Sequence, residues 1–454
     1  MTKLHLWLLA LGLAVLSACS DAARYTITDA SGPTPVLPQP SISLIPTINI
    51  APASGWVPGK SPVAASGLVV SRFAEHLDHP RWLLVLPTGE VLVAETNGPP
   101  RPDESRGLKA KIMNWFMRRA GAKTPSANRI TLLQDLDGDG VAESRTEYLS
   151  GLNSPFGMAL AGQNLYVADT DALLRFPYVA GAKHVAIQGA LVTPLPAGTR
   201  NHHWTKNVIV SADGSKLFVT VGSNSNVAEH GMDIEAQRAS IWEVDAATGE
   251  HQIFASGLRN PNGMAWEPAT STLWTVVNER DELGSDLVPD YLTSVRKGGF
   301  YGWPYSYYGA HVDERVRPQR PDLVATALVP DYALGSHTAS LGLADAHGSM
   351  IAQRYGEGMV VSQHGLWNRR PFSGYRVIFV PFRAGRPAGE SIELLGGFVN
   401  ARGQAQGRPV GVAIDKGGAL LVADDVGNIV WRVSAASPVL NSATTHTGEN
   451  HATP

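Results

Sequence analysis

The sequence predicts an all-β fold, a six-bladed β-propeller, on three observations. One unit recurs six times between residues 67 and 434: a Gly- or Ala-rich apolar strand start, a turn, then an alternating strand ending in an acidic or Asn-rich loop. The 46 Gly and 31 Pro of the 454 residues cut the chain into short strands joined by tight turns. Charged residues make up only 17 %, which suits the same pattern of many short strands. The copies lie roughly 50 to 80 residues apart. Propeller blades recur at about 40 to 50 residues with insertions in loops, whereas a sandwich of this length repeats no such unit.

The chain opens with an apolar run after Lys3 and His5 that is too short to span a bilayer and has the form of a secretory signal, residues 1–18. It ends in Leu16-Ser17-Ala18-Cys19, small residues set directly before the one cysteine of the chain. The arrangement resembles a bacterial lipobox, which makes Cys19 the lipidated first residue of the mature protein. The alternative is an ordinary signal with an incidental cysteine. Ser20 is not the Asp that retains lipoproteins in the inner membrane, so the expected place is the periplasmic side of the cell envelope, at the outer membrane. A single cysteine rules out a disulfide framework. Residues 19–66, rich in Pro, Ser, Thr and Ala, read as a tether, and 435–454 as a disordered tail. A net charge of −3 gives no electrostatic case for nucleic acid as a partner.

The first copy of the unit runs from Trp82 to Thr96, and the second from Phe156 to Asp169. The third runs from Asn207 to Gly222, and the fourth from Gly263 to Asn278. The fifth, Leu341 to Ser362, is weaker, and the sixth runs from Gly411 to Asp424. Between the first two, Gly107 to Lys123 has helical spacing, with Leu108, Ile112, Trp115, Phe116 and Met117 set among Lys109, Lys111, Arg118 and Arg119. Such a basic amphipathic helix lies on a membrane surface or packs on its own domain. Asp135-Leu136-Asp137-Gly138-Asp139-Gly140 has the opening of a calcium loop, but its twelfth position is Thr146 rather than Glu. It reads as a hairpin turn that holds a structural ion at most.

In a propeller the loops at one mouth of the channel gather residues distant in sequence into one concave site. His203, Arg259, Asn278, Arg369 and Arg408 all adjoin an inner-strand unit. Polar groups on Gly- and Pro-punctuated loops build no core, so they are solvated or face a ligand. An imidazole at His203 titrates near neutrality and can take a proton from a hydroxyl. A guanidinium at Arg259 grips planar oxygen pairs, or braces carbonyls between blades.

Three stretches, His202-His203-Trp204-Thr205-Lys206-Asn207, Gly257-Leu258-Arg259-Asn260-Pro261-Asn262-Gly263 and Gly298-Gly299-Phe300-Tyr301-Gly302-Trp303-Pro304, together resemble the soluble quinoprotein sugar dehydrogenases. These form the glucose/sorbosone dehydrogenase family, and the sorbosone branch is the nearest in pattern. The resemblance implies the six-bladed fold over roughly Gly67 to Val433 and a pyrroloquinoline quinone (PQQ) cofactor. It makes His203 the base, four residues before the strand start at Asn207, and places His202, Asn153 and His337 beside the substrate. Arg259 and Asn260 become cofactor-activating, and Asn278, Glu279, Arg369 and Arg408 cofactor-binding. A calcium ion is implied at the backbone carbonyls of Arg280 and Asp281. Two positions depart from the pattern: Ser223 stands where an acid orients the histidine, leaving Asp169 or Asp171 as substitutes, and Val410 stands where a second arginine is expected. The implied activity is oxidation of a sugar or sugar-derived aldehyde, with electrons passing to an unidentified acceptor. The rival readings are a calcium-dependent lactonase propeller and a propeller that only binds carbohydrate or protein.

Overall fold

The computed structural model of the chain describes residues 21–43, 47–105 and 108–436. Cys19, the signal segment and the tail beyond 436 lie outside the described residues. Six sheets of four or more strands, antiparallel except for the edge pair of the third, ring a channel. Each starts on an inner strand: Pro80–Val85, Met158–Ala161, Val208–Val210, Pro261–Glu267, Ser340–Asp345 and Pro409–Ile414 open blades 1 to 6. All six repeats in the sequence therefore mark an inner strand and its hairpin partner. The glycine in the repeat has a steric cause at the channel. A Cβ on Gly157 would lie 2.5 Å from the Val208 nitrogen of the next inner strand, and one on Gly411 2.6 Å from the Arg81 carbonyl oxygen.

The ring is closed by the strand Leu68–Ala74, which pairs with Ile429–Ala435 and supplies the outermost strand of blade 6. Each blade buries apolar residues from both faces, with Trp242, Trp274 and Trp431 among the largest fully buried side chains. Blade 1 carries an insertion between Val91–Glu95 and Arg129–Gln134 that contains the helix Leu108–Arg119. The hairpin from Arg129–Gln134 to Ser144–Leu149 forms as the sequence indicates. At its turn the carboxylates of Asp135, Asp137, Asp139 and Glu143 lie within 4.8 Å of one another.

The tether expected over 19–66 is corrected from Asp21 onward: this segment is a strap laid on the propeller. Ser31–Gly32 adds an edge strand to blade 4 and Val63–Ala64 one to blade 5. Between them Ala51 is fully buried, Ala53 bridges to Ala405, and the Trp56 indole donates to Asp424 at 2.7 Å. The composition misleads because the strap is held by backbone hydrogen bonds to blade loops, which need no hydrophobic period.

Candidate active site

In every blade the start of the inner strand and the end of its partner face the same mouth of the channel. Short connectors place His203, Arg259–Asn260 and Arg408 before inner strands 3, 4 and 6, and Ser223, Asn278 and Asp425 after second strands.

His203 is half-buried, and its Nδ1 lies 2.9 Å from the Ser223 carbonyl oxygen and 3.0 Å from the Ser223 Oγ. A carbonyl only accepts, so Nδ1 carries the proton and Nε2 keeps the lone pair. Burial, then the Arg259 and His202 charges, hold the imidazole well below its ordinary pKa, so it is neutral at pH 7. The missing acid is thus replaced by the Ser223 main chain. Asp169 and Asp171 do not substitute for it: they accept from the Asn153 backbone and side-chain amides, each at 2.8 Å. Burial pushes the Asp169 carboxyl up to about 7. Asn153, expected at the substrate, is held by these two acids at the blade 2 rim. The His202 ring lies edge-on to His203, 4.6 Å between centroids, and its carbonyl accepts from Arg101.

Gly222 makes this arrangement possible. A Cβ there would lie 2.5 Å from the His203 Cβ and would also collide with the Asn260 Oδ1. Asn260 and His203 therefore meet over a residue without a side chain.

Arg259 is almost fully buried, and its donors meet protein acceptors. Nε bonds the Asn226 carbonyl, Nη1 the Glu279 carbonyl at 2.6 Å and both oxygens of Asn278, and Nη2 the Asn226 Oδ1 and the Asp281 carboxylate. It braces the mouth carbonyls of blades 3 and 4 while placing a positive charge beside His203. The open two-pronged clamp expected of it is not formed.

Of the two carbonyls expected to hold calcium, that of Asp281 is already engaged by protein donors. The Asp281 carbonyl accepts from the Asn226 Nδ2 at 3.2 Å and the Arg315 Nη1 at 2.9 Å, which leaves no lone pair aimed at a cation. Arg280 is a fully buried strut, ion-paired with Glu279 at 2.9 Å and Asp313 at 3.2 Å and bonded to the Pro304 and Ser306 carbonyls. Glu279 accepts from Arg280 through Oε2, while its Oε1 is buried without a hydrogen-bond partner. His337, expected at the substrate, is buried with Nε2 on the Gly284 carbonyl and Nδ1 3.3 Å from Asp281. It positions Asp281.

Arg369 and Arg408 are held by the strap. Arg369 donates to the Tyr25 carbonyl at 2.8 Å and to Pro371, and Arg408 to the Ala51 carbonyl at 3.0 Å and to Gly365. Each keeps a buried Nε with no protein partner. Across the mouth from His203 stands a cluster that the sequence reading missed. Asp425 accepts from Arg81 at 2.6 Å and His364 at 2.9 Å, with His79 at 3.6 Å. Burial alone would raise the Asp425 carboxyl, but His364, His79 and Arg81 hold it well below the carboxylate range. Burial, aided by Arg408 and Arg81, pushes His364 down to about 4. The signal was available: His79-Pro80 precedes inner strand 1 as Asn260-Pro261 precedes strand 4 and Arg408-Pro409 precedes strand 6.

Val410 is fully buried in the apolar cluster with Trp82, Phe156 and Leu341, so it offers nothing to the mouth. The guanidinium of Arg81, from the neighbouring blade, adds a second charge to that of Arg408. Buried guanidinium donors without a hydrogen-bond partner (Nε of Arg81, Arg369 and Arg408) collect at this mouth, and so does the Asn260 Oδ1. A planar anion with several carboxylates fits that donor set.

A family model described as TrAA12-like matches residues 126–291. An uncharacterized protein of Borreliella burgdorferi is 25% identical over 293 residues, covering 62% of this chain and 76% of that protein. Among solved structures, the Trichoderma reesei carbohydrate-active enzyme of family AA12 superposes with a TM-score of 0.67 at 17% identity, covering 86% of this chain and 99% of the other. The holo form of the pyranose dehydrogenase PQQ domain from Coprinopsis cinerea gives 0.66 at 19% identity, covering 85% and 100%. At these identities the likeness establishes the fold.

Proposed function

We propose that the chain is a quinoprotein dehydrogenase that oxidises a sugar or a sugar-derived aldehyde of the sorbosone type. The observation that carries the reading is the neutral His203, with its Nε2 lone pair left for a substrate proton, placed across one mouth from a set of buried unpartnered cationic donors. A relative of the same fold is described as the holo form of a PQQ domain, which supports the cofactor class. Arg408 and Arg81 would hold the cofactor carboxylates, and Asn260 would orient its quinone edge. When bound, PQQ supplies the acceptor for a hydride leaving the substrate carbon.

The chain's own part is proton handling and orientation. His203 Nε2 takes the proton of the substrate hydroxyl, which for an aldehyde is that of its hydrate or hemiacetal, while its Nδ1–H stays on the Ser223 carbonyl, so the ring does not rotate as charge develops. Burial, and after it the Arg259 guanidinium, keeps His203 unprotonated before substrate arrives, since a buried imidazolium beside a fixed positive charge is disfavoured. The lactonase reading needs carboxylates converging on a metal at the mouth. Among the described residues the one such group is the Asp135 hairpin, at the opposite end of blade 1. The wider setting is lipid anchorage at Cys19 on the periplasmic side of the outer membrane, with electrons handed to an acceptor of the envelope.

The test is dye reduction by purified protein supplied with PQQ and calcium, scanned over aldoses and sorbosone-like aldehydes. Turnover that requires both quinone and a sugar substrate supports the proposal. Lactone hydrolysis without quinone would replace it.

A further inference from the structure

We infer that the mouth of the propeller faces a membrane, and that the basic face of the helix Leu108–Arg119 rests on anionic lipid headgroups. The inference rests on the lipidation of Cys19 proposed above and is independent of the quinone reading.

The first observation is where the described chain begins. The Asp21 carboxylate receives the Ser285 backbone N–H at 2.6 Å, and its carbonyl accepts from the hydroxyls of Thr47 and Ser285, both at 2.8 Å. Ser285 lies in the loop between the second and third strands of blade 4, on the mouth side. Two residues extend at most about 7 Å, so a lipid on Cys19 enters its bilayer beside the mouth rim. The acyl chain cannot reach from the opposite end of the propeller.

The second observation is the blade 1 insertion, which leaves and re-enters the blade on the same mouth side. Its helix carries Lys111, Asn114, Trp115 and Arg118 at i, i+3, i+4 and i+7, one face. That face, with its exposed Lys111 and Arg118, lines an open groove of about 520 Å³ together with Lys123. Trp115 is 53 % exposed, whereas Met113, Phe116 and Met117 on the other side are partly covered and Ala120 is buried. An exposed Trp flanked by Lys and Arg suits the interface between headgroups and acyl chains. The Arg119 guanidinium stacks over the Trp115 ring at 4.9 Å.

The two features are mechanically joined. The Ala53 N–H of the strap donates to the Arg119 carbonyl at 2.7 Å, so the segment that descends from Cys19 is fastened to the helix end. A lipid anchor at the mouth rim and a basic, Trp-bearing groove in an insertion that leaves blade 1 at that same mouth put both proposed membrane contacts on the mouth side.

The test separates the helix from the anchor by using the mature chain as Cys19→Ala, which has no lipid and no other cysteine. Sedimentation with phosphatidylethanolamine/phosphatidylglycerol vesicles should show salt-sensitive binding, and phosphatidylcholine vesicles should show little. Lys111→Gln with Arg118→Gln should weaken binding about 25-fold, roughly fivefold for each charge near an anionic surface. In the same background, an environment-sensitive probe on Asn114→Cys should shift to an apolar environment on binding. A probe on Thr88→Cys, in the blade 1 hairpin at the far end, should stay aqueous. Equal adhesion to both lipids, an unchanged affinity of the double variant, or burial of the Thr88 probe overturns the inference. Absence of vesicle binding also overturns it and leaves an acidic protein as occupant of the groove. Fractionation of cells making wild type and Cys19→Ala reads the lipid anchor separately.

Discussion

Gly222→Ala is the smallest change that tests how the mouth is assembled. The added Cβ would meet the His203 Cβ at 2.5 Å, against an ordinary contact of at least 3.4 Å, so one of the two must retreat by about 0.9 Å. Neither is free to do so. The backbone of His203 is tied to the Ser223 carbonyl, and Asn260, the other residue struck, has its carbonyl bonded to the Asn278 N–H at 3.0 Å. Overpacking of this kind costs about 1–3 kcal/mol, a modest loss for a domain of this size. A displacement near 1 Å at the reacting groups typically costs about a hundredfold in rate. The expected outcome is a folded protein, melting a few degrees lower, whose kcat falls about a hundredfold. Circular dichroism melting with steady-state dye reduction measures both. A Gly222→Ala protein with kcat within a few-fold of wild type would refute the placement of His203 and Asn260 as partners in the reaction.

Three further outcomes follow from the same geometry. His203→Ala should lose at least about a hundredfold in kcat, while His202→Ala, on the rim, should mainly raise KM; steady-state kinetics of the pair would expose a one-residue error of register if the roles were exchanged. His364 is pushed down to about 4 in the folded chain from an ordinary value near 6.5, so as pH falls through that window the unfolded chain takes up a proton that the folded one refuses. Stability attributable to His364 should therefore fall by about 3 kcal/mol between pH 6.5 and 4, and urea unfolding of His364→Gln should show a correspondingly flatter acid limb. Asp169, raised to about 7, acts with the opposite sign over a similar window, so the comparison of variant with wild type, not the wild-type curve alone, isolates the histidine. Cell fractionation should find wild type with membranes and Cys19→Ala released, and equal release would remove the anchor.

The blades were legible because each inner strand repeats the same constraint, a small residue where neighbouring backbones crowd the channel and an apolar strand behind it. His203 and the loss of its acid at Ser223 were legible for the same reason, since their distance from the strand start is fixed by the blade. The remaining features depend on contacts between segments with no fixed spacing. The strap residues Ala51 and Tyr25 contribute only main-chain carbonyls to Arg408 and Arg369, and a carbonyl leaves no mark in a sequence. Arg280 and Asp281 looked like an exposed charged loop because Asp313 and Arg315, their partners, arrive from over 30 residues downstream. The Arg81–Asp425–His364 cluster joins blades 1, 5 and 6 and so spans nearly the whole chain. Only the shared register before and after inner strands could have assembled it in advance.

If this mouth is a quinone site, titrating the purified, quinone-free protein with PQQ will reveal it in both heat and the quinone absorbance. Binding should saturate at one PQQ per chain, with a loss of at least about tenfold in affinity for Arg408→Ala or Arg81→Ala, as expected when one charge-assisted contact to a carboxylate is removed. Val410→Ala, which changes only buried apolar packing, should leave affinity within a few-fold. No saturable binding to the folded wild-type protein, or binding that neither arginine variant weakens, would contradict the quinone site.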